Sequence, residues 1–235
     1  MPFIRSALFA VIYTVLTVAY GTFSLVLLPL KVRTRHRIMA SWTAVVIWLL
    51  RWVCGVRYEV VGLEHKPAAD QPVVILSKHQ STWETLYLQS LFWPASTVLK
   101  RELLKIPFFG WGLRALVPIA IDRANPRDAL KQVKTKGLNR ISHGYNILLF
   151  PEGTRMKPGE RGKYARSGAD IAVAAQVDVL PIALNAGRCW PSKSFVKYPG
   201  KITVVIGPPI SVDGKSSKQI IGEVEDWIEN QMTTL

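Results

Sequence analysis

An α/β fold, with a mixed, largely parallel sheet covered by helices and an apolar two-helix membrane-binding segment ahead of it, is what this sequence predicts. Three observations carry the expectation. Beyond residue 57, short β-branched runs alternate with longer segments of helical period; residues 6–30 hold no charge; and charged residues recur directly after the apolar runs. Strands alternating with helices pack as a sheet with helical cover.

In chain order, the uncharged stretch Ser6–Leu30 comes first. It is long enough to cross a hydrocarbon core of roughly 30 Å as a helix. "KVRTRHR" follows at 31–37, and then "IMASWTAVVIWLL" at 38–50. This second run is too short to span but suits an interfacial helix, with Trp42, Trp48 and Trp52 placed to anchor at head groups. A cleaved signal is disfavoured, because the apolar region is too long and no Ala-x-Ala spacing ends it. Two geometries stay open: the first segment spans, or both segments form a hairpin in one leaflet. Either way the basic cluster puts the remaining chain on the cytoplasmic face of an inner membrane or its equivalent. Residues 1–56 therefore read as a membrane-binding segment and 57–235 as one α/β domain.

Within that domain, strands are expected at 58–62, 72–77, 96–100, 116–122, 146–151, 177–184 and 201–207. Their β-branched content and bounding Gly, Pro or Asn support them. Helices are expected at 82–92, 127–141, 166–175 and 216–233, where apolar residues recur at helical spacing.

Lys and Arg number 30 against 16 Asp and Glu, a net charge of +14, which implies an anionic partner. With 49% hydrophobic residues, lipid or an anionic phospholipid membrane fits better than nucleic acid. Cys54 and Cys189 lie far apart without metal-ligand spacing, so they form neither a disulfide framework nor a zinc site.

Ligands of open α/β sheets bind at the carboxyl ends of the strands. After "PVVILS" come Lys78 and His79; after "STVL", Lys100, Arg101 and Glu102; after "VPIAI", Asp122 and Arg123; after "NILLF", Pro151 to Arg155. Such convergence marks a polar site for an anionic ligand. His79 and Glu84 are separated by about 500° of helical rotation, so they cannot share a helix face. A contact between them needs His79 in the turn before the helix. There Glu84 orients an imidazole, or it serves a capping box with Ser81 as N-cap. The residues alone leave both readings open. In "FPEGTR" (150–155) the glycine allows close backbone approach and Arg155 offers a fork for phosphate, although Pro and Gly are also routine after a strand. "PGERGKYARSG" (158–168) reads as a mobile basic loop beside the site, or as a solvated one. GxSxG, GxxxxGK[ST], a post-strand GxGxxG and HExxH are all missing from the sequence.

Four blocks, in order, make the chain resemble the membrane glycerolipid acyltransferases, and within them the 1-acyl-sn-glycerol-3-phosphate (lysophosphatidic acid) acyltransferases. They are "KHQSTWE" (78–84), "KRELLKIPFFGWGLRAL" on to "PIAIDR" (100–123), "FPEGTR" and "VLPIAL" (179–184). The first motif of that family usually closes with Asp, where this chain has Glu84. The resemblance implies His79 as general base and Glu84 as its orienting carboxylate. It implies a phosphate-binding set of Arg123, Glu152, Gly153, Thr154, Arg155 and Lys100. Within it Arg123, Gly153 and Arg155 hold the glycerol phosphate, Glu152 braces them, and Pro181 shapes the wall. The implied reaction moves a fatty acyl group from acyl-CoA or acyl carrier protein to the sn-2 hydroxyl of lysophosphatidic acid, giving phosphatidic acid. A thioester is already activated, so no metal or other cofactor is called for. Alternatives are another acceptor (glycerol 3-phosphate, another lysophospholipid or an amino-lipid) or a non-catalytic protein that binds anionic lipid.

Overall fold

A computed structural model describes residues 1–68, 70–122 and 124–235. Its helices are α1 (Pro2–Val26), α2 (Val32–Cys54), α3 (Trp83–Leu91), α4 (Phe109–Ala115), α5 (Pro126–Ser142), α6 (Ser167–Ala175) and α7 (Ser217–Met232). Its strands are β1 (Val56–Val61), β2 (Val74–Ser77), β3 (Ala95–Lys100), β4 (Ile119–Ile121), β5 (Asn146–Leu149), β6 (Val179–Leu184) and β7 (Gly200–Ile206). Among the described residues they form one sheet in the order β1-β7-β6-β2-β5-β3-β4. Strands β2 to β6 all run parallel, β7 is antiparallel to β6, and β1 is parallel to β7. The carboxyl ends of five strands therefore meet at one edge.

Period-2 alternation builds two cores. Val73, Ile75, Leu148, Leu180 and Ile182 face α2, α3 and part of α1, whereas Val74, Leu76, Ile147, Leu149 and Val179 face α5, α6 and α7. Central strands buried on both faces read as continuous apolar runs, as "VVIL" and "ILL" do. The C-terminal helix opens on a complete capping box, Ser216 with Gln219.

Three expectations need correction. The second apolar segment is a 23-residue helix that includes most of the basic cluster and Arg51. Arg is nearly as good a helix former as Leu, so charge did not mark its start. Trp42 is no head-group anchor: it lies buried against Tyr13 and Phe109, while Trp48 and Trp52 are 61% and 66% exposed. Residues 116–122 are not a seven-residue strand. Leu116 ends α4, Val117 turns at φ 52°, and β4 starts only at Ile119. Helix α4 itself, carrying two glycines, showed no helical period to read.

Both N-terminal helices are long and apolar enough to cross a membrane by length and composition. Yet they pack on the domain. Phe9 is buried in the core, the Ser6 hydroxyl accepts from the Lys197 N–H at 2.8 Å, and His36 bonds the Ala95 carbonyl at 2.9 Å.

Candidate active site

The ladder of β2 continues one residue beyond the strand, through the Lys78 N–H to the Ile182 carbonyl at 2.9 Å. Alternation then sends successive side chains to opposite faces. His79 turns to the α3 face and stacks on Phe150 at 4.1 Å between centroids. Lys78 turns to the α7 face.

His79 Nδ1 lies 2.9 Å from Glu84 Oε1, which also accepts the backbone N–H groups of Gln80 (2.8 Å) and Ser81 (2.6 Å). The two readings of Glu84 share one oxygen, which contacts the imidazole and accepts the backbone N–H groups of the chain entering α3. The full capping box does not form, because Thr82 is the N-cap and the Ser81 hydroxyl accepts from Trp83 rather than from Glu84. Glu84 is completely buried, and its second oxygen has no partner among the described residues. A carboxylate only accepts, so Nδ1 carries the proton and Nε2 keeps its lone pair.

The turn 150–156 laces onto the same backbone. Glu152 Oε2 accepts the His79 N–H at 2.9 Å, and Met156 N–H donates to the His79 carbonyl at 2.8 Å. Arg155 Nε donates to the Ser81 carbonyl at 3.1 Å. Gly153 turns at φ 66°, a conformation that favours glycine, and nothing within 4 Å would crowd a Cβ there.

Of the expected phosphate-binding set, Gly153, Thr154 and Arg155 sit beside His79, and Thr154 and Arg155 are exposed. Lys100 is exposed at the end of β3, two strands over from β2. Arg123 lies outside the described residues. Glu152 is not placed to touch a phosphate. It is buried, and its carboxylate is filled by His79 N–H, Lys78 Nζ (2.8 Å) and Gly162 N–H (3.2 Å). Pro181 lies mid-strand in β6 on the side of Trp227, against Gly207, away from the strand-end edge. The loop 158–166 is not loosely solvated, because Glu160 carbonyl, Gly162 N–H and Tyr164 hydroxyl each bond into the buried network below His79.

Sequence reasoning placed Lys78 among the ligand-facing cations and left Glu229 and Tyr164 unread. Lys78 Nζ bonds Glu152 at 2.8 Å and Glu229 at 2.7 Å, and the Tyr164 hydroxyl donates to Glu229 at 2.7 Å. Burial first, then that bond to Glu229, pushes the Tyr164 phenol far above its usual range, so it stays a donor. Alternation along β2 was the available signal, since Lys78 shares the parity of Val74 and Leu76.

A buried carboxylate, an imidazole bound to it through one nitrogen and an exposed arginine turn, set against an apolar helical layer, suit an enzyme that activates a hydroxyl beside an anionic group. The comparisons with known proteins agree. The Acyltransferase family model matches residues 57–185. A 1-acyl-sn-glycerol-3-phosphate acyltransferase of Pseudomonas aeruginosa is 47% identical over 99% of this chain and 91% of its own length. A chloroplastic enzyme of that name from Arabidopsis thaliana is 27% identical over 93% of this chain and 60% of its own. The crystal structure of the 1-acyl-sn-glycerophosphate (LPA) acyltransferase PlsC from Thermotoga maritima superposes with a TM-score of 0.82 at 25% identity, covering 100% of this chain and 97% of that one. The chain belongs to the acyltransferase family.

Proposed function

We propose that this enzyme transfers a fatty acyl group from an acyl thioester to the sn-2 hydroxyl of 1-acyl-sn-glycerol 3-phosphate, making phosphatidic acid. The observation that carries the reading is the Nδ1–H of His79 held at 2.9 Å on a buried carboxylate, which leaves Nε2 to act as a base, with Arg155 bonded two residues further on at the Ser81 carbonyl. The acceptor hydroxyl attacks the thioester carbonyl as its proton passes to Nε2. The tetrahedral adduct collapses, the C–S bond breaks, and the departing thiolate takes the proton back from the imidazolium. Glu84 stabilises that imidazolium while it exists. Arg155, with the Gly153–Thr154 turn, Arg123 and Lys100, receives the glycerol phosphate.

The lipid arrives from the helical side. The apolar faces of α1 that the domain leaves uncovered, including Phe3, Ile4, Leu8, Val11 and Val15, are exposed, as are Trp48 and Trp52 on α2. Because half of the apolar window of α2 is buried in protein, we read the pair as a hairpin lying in one leaflet, with the domain on the cytoplasmic face. A small apolar cavity of about 30 Å³ lies between α1, α2 and α4, lined by Trp42, Phe108 and Phe109 among others, and marks this layer as the side from which an acyl chain would approach. The test is acyl transfer by the purified full-length protein to a panel of acceptors. Lysophosphatidic acid should exceed glycerol 3-phosphate and neutral lysophospholipids in kcat/KM; preference for one of those others overturns the assignment.

A further inference from the structure

We infer that Lys78 and Glu229 are positioning residues, members of a buried charge network that anchors the backbone of His79 to the C-terminal helix. The inference rests on the reading of His79 as the base and adds residues to it. Lys78 is 1% exposed and donates to Glu152 Oε1, Glu229 Oε1 and the Glu160 carbonyl, at 2.8, 2.7 and 3.1 Å. Glu152 divides its carboxylate, giving one oxygen to Lys78 and the other to the His79 N–H at 2.9 Å. Any displacement of Lys78 therefore reaches the base through a single side chain. Glu229 is held in turn by the Tyr164 hydroxyl at 2.7 Å.

Two features argue against a role in stability alone. A buried ion cluster is a poor route to stability, since apolar residues of similar volume commonly do as well or better. This cluster also sits immediately beside the base, and its hydrogen bonds run along the two backbones, 78–79 and 152–156, that compose the site. Direction-specific bonds of this kind fix a position in a way that apolar packing does not. Glu229 lies on α7, beyond residue 185 where the family match ends. The site of this chain thus draws on a helix outside the segment that defines its family.

The test uses the full-length protein and compares Glu229→Leu with Glu229→Gln, each in the native and the His79→Ala background, with kcat, acceptor KM and Tm measured together. Glu229→Leu should lower kcat by about 10–100-fold with acceptor KM nearly unchanged, because ångström-scale misplacement of a catalytic group costs about that much. Glu229→Gln keeps an oxygen for Lys78 and Tyr164, so it should retain most of the native kcat. In the His79→Ala background Glu229→Leu should cost almost nothing further, as expected of residues acting as a unit. Equal losses in both backgrounds, or a lowered Tm with native kcat per folded molecule, would overturn the inference. If Glu229→Leu does not fold, Tyr164→Phe removes one donor and no charge; a fall in kcat seen only with His79 present supports the network, and an unchanged kcat overturns it. Native turnover by His79→Ala would instead sink the base assignment itself, and the two failures are separately visible.

Discussion

The strand-end site and the layer of α1, α2 and α4 rest on the same sheet, yet different forces hold them. At the site, position comes from hydrogen bonds with fixed directions: Glu84 Oε1 takes three donors, and Glu152 takes three more across its two oxygens. In the helical layer, hydrogen bonds at Ser6 and His36 dock the helices, and the rest of the position comes from steric fit. A Cβ on Gly21 of α1 would stand 2.3 Å from the Phe108 carbonyl oxygen, and one on Gly112 of α4 would stand 3.0 Å from the Met39 Cε of α2. The difference suits the two tasks. A base must be aimed within fractions of an ångström, whereas an apolar layer proposed to meet a fluid bilayer needs only to stay attached.

The largest expected effect tests the directional half of this comparison. His79→Ala should lower kcat by about 10²–10⁴-fold, the usual worth of a general base, while membrane association persists. Glu84→Gln is the sharper variant. It can keep an oxygen for His79 and the two backbone N–H groups but loses the charge that stabilises the imidazolium. We expect kcat to fall by about 10–100-fold, less than for His79→Ala, in line with a charge-assisted hydrogen bond being worth roughly twice a neutral one. Near-native kcat together with a lowered Tm would reduce Glu84 to a helix cap.

How far each region was legible in the sequence follows the same division. The strand ends were readable because the β-branched runs kept their pattern; six of the seven strands and four of the domain helices fell close to their expected places, while 116–122 shrank to the three residues of β4. Glu84 was readable only as an ambiguity, since a cap and an orienter use the same oxygen. Lys78, Glu229 and Tyr164 were not assembled, because a contact between residues 78 and 229 is a property of the sheet order β6-β2-β5 and of α7 packing beneath it. In the helical layer, composition announced a membrane segment but not its docking. The fit depends on glycines meeting a backbone carbonyl, and a glycine in an apolar helix carries no mark of what it faces.

A substitution at that contact tests the steric half. Gly21→Leu places a side chain where the backbone of Phe108 stands, with the nearest atoms 2.3, 2.6 and 2.7 Å from the added Cβ. Backbone cannot give way as a flexible side chain can, so α1 must shift. Overpacking of this kind costs about 1–3 kcal/mol, which thermal unfolding of the full-length protein would register as a lower Tm. Limited proteolysis should cut first near the turn at residues 27–31. An unchanged Tm with α1 still protected would mean the contact is looser than described. Because the site does not depend on this packing for its aim, kcat on a soluble short-chain acceptor should change far less than for Glu84→Gln.

The smallest effect isolates what burial contributes to the directional half. Glu225 and Glu229 are four residues apart on α7, and both tie the loop 158–166 to that helix: Glu225 through Arg161 at 2.7 Å, Glu229 through Lys78 and Tyr164. The geometry is nearly the same and the surroundings are not. The Arg161 and Glu225 side chains are 58% and 26% exposed, against 1% and 16% for Lys78 and Glu229. Solvent screens the first pair and its partners regain hydration when it breaks, so Arg161→Ala should leave both Tm and kcat near native. Lys78 has no such recourse, because its loss strands two carboxylates against each other out of water. Comparable losses of kcat from Arg161→Ala and Glu229→Leu would mean that the loop as a whole, and not the buried charge beneath His79, sets the aim of the base.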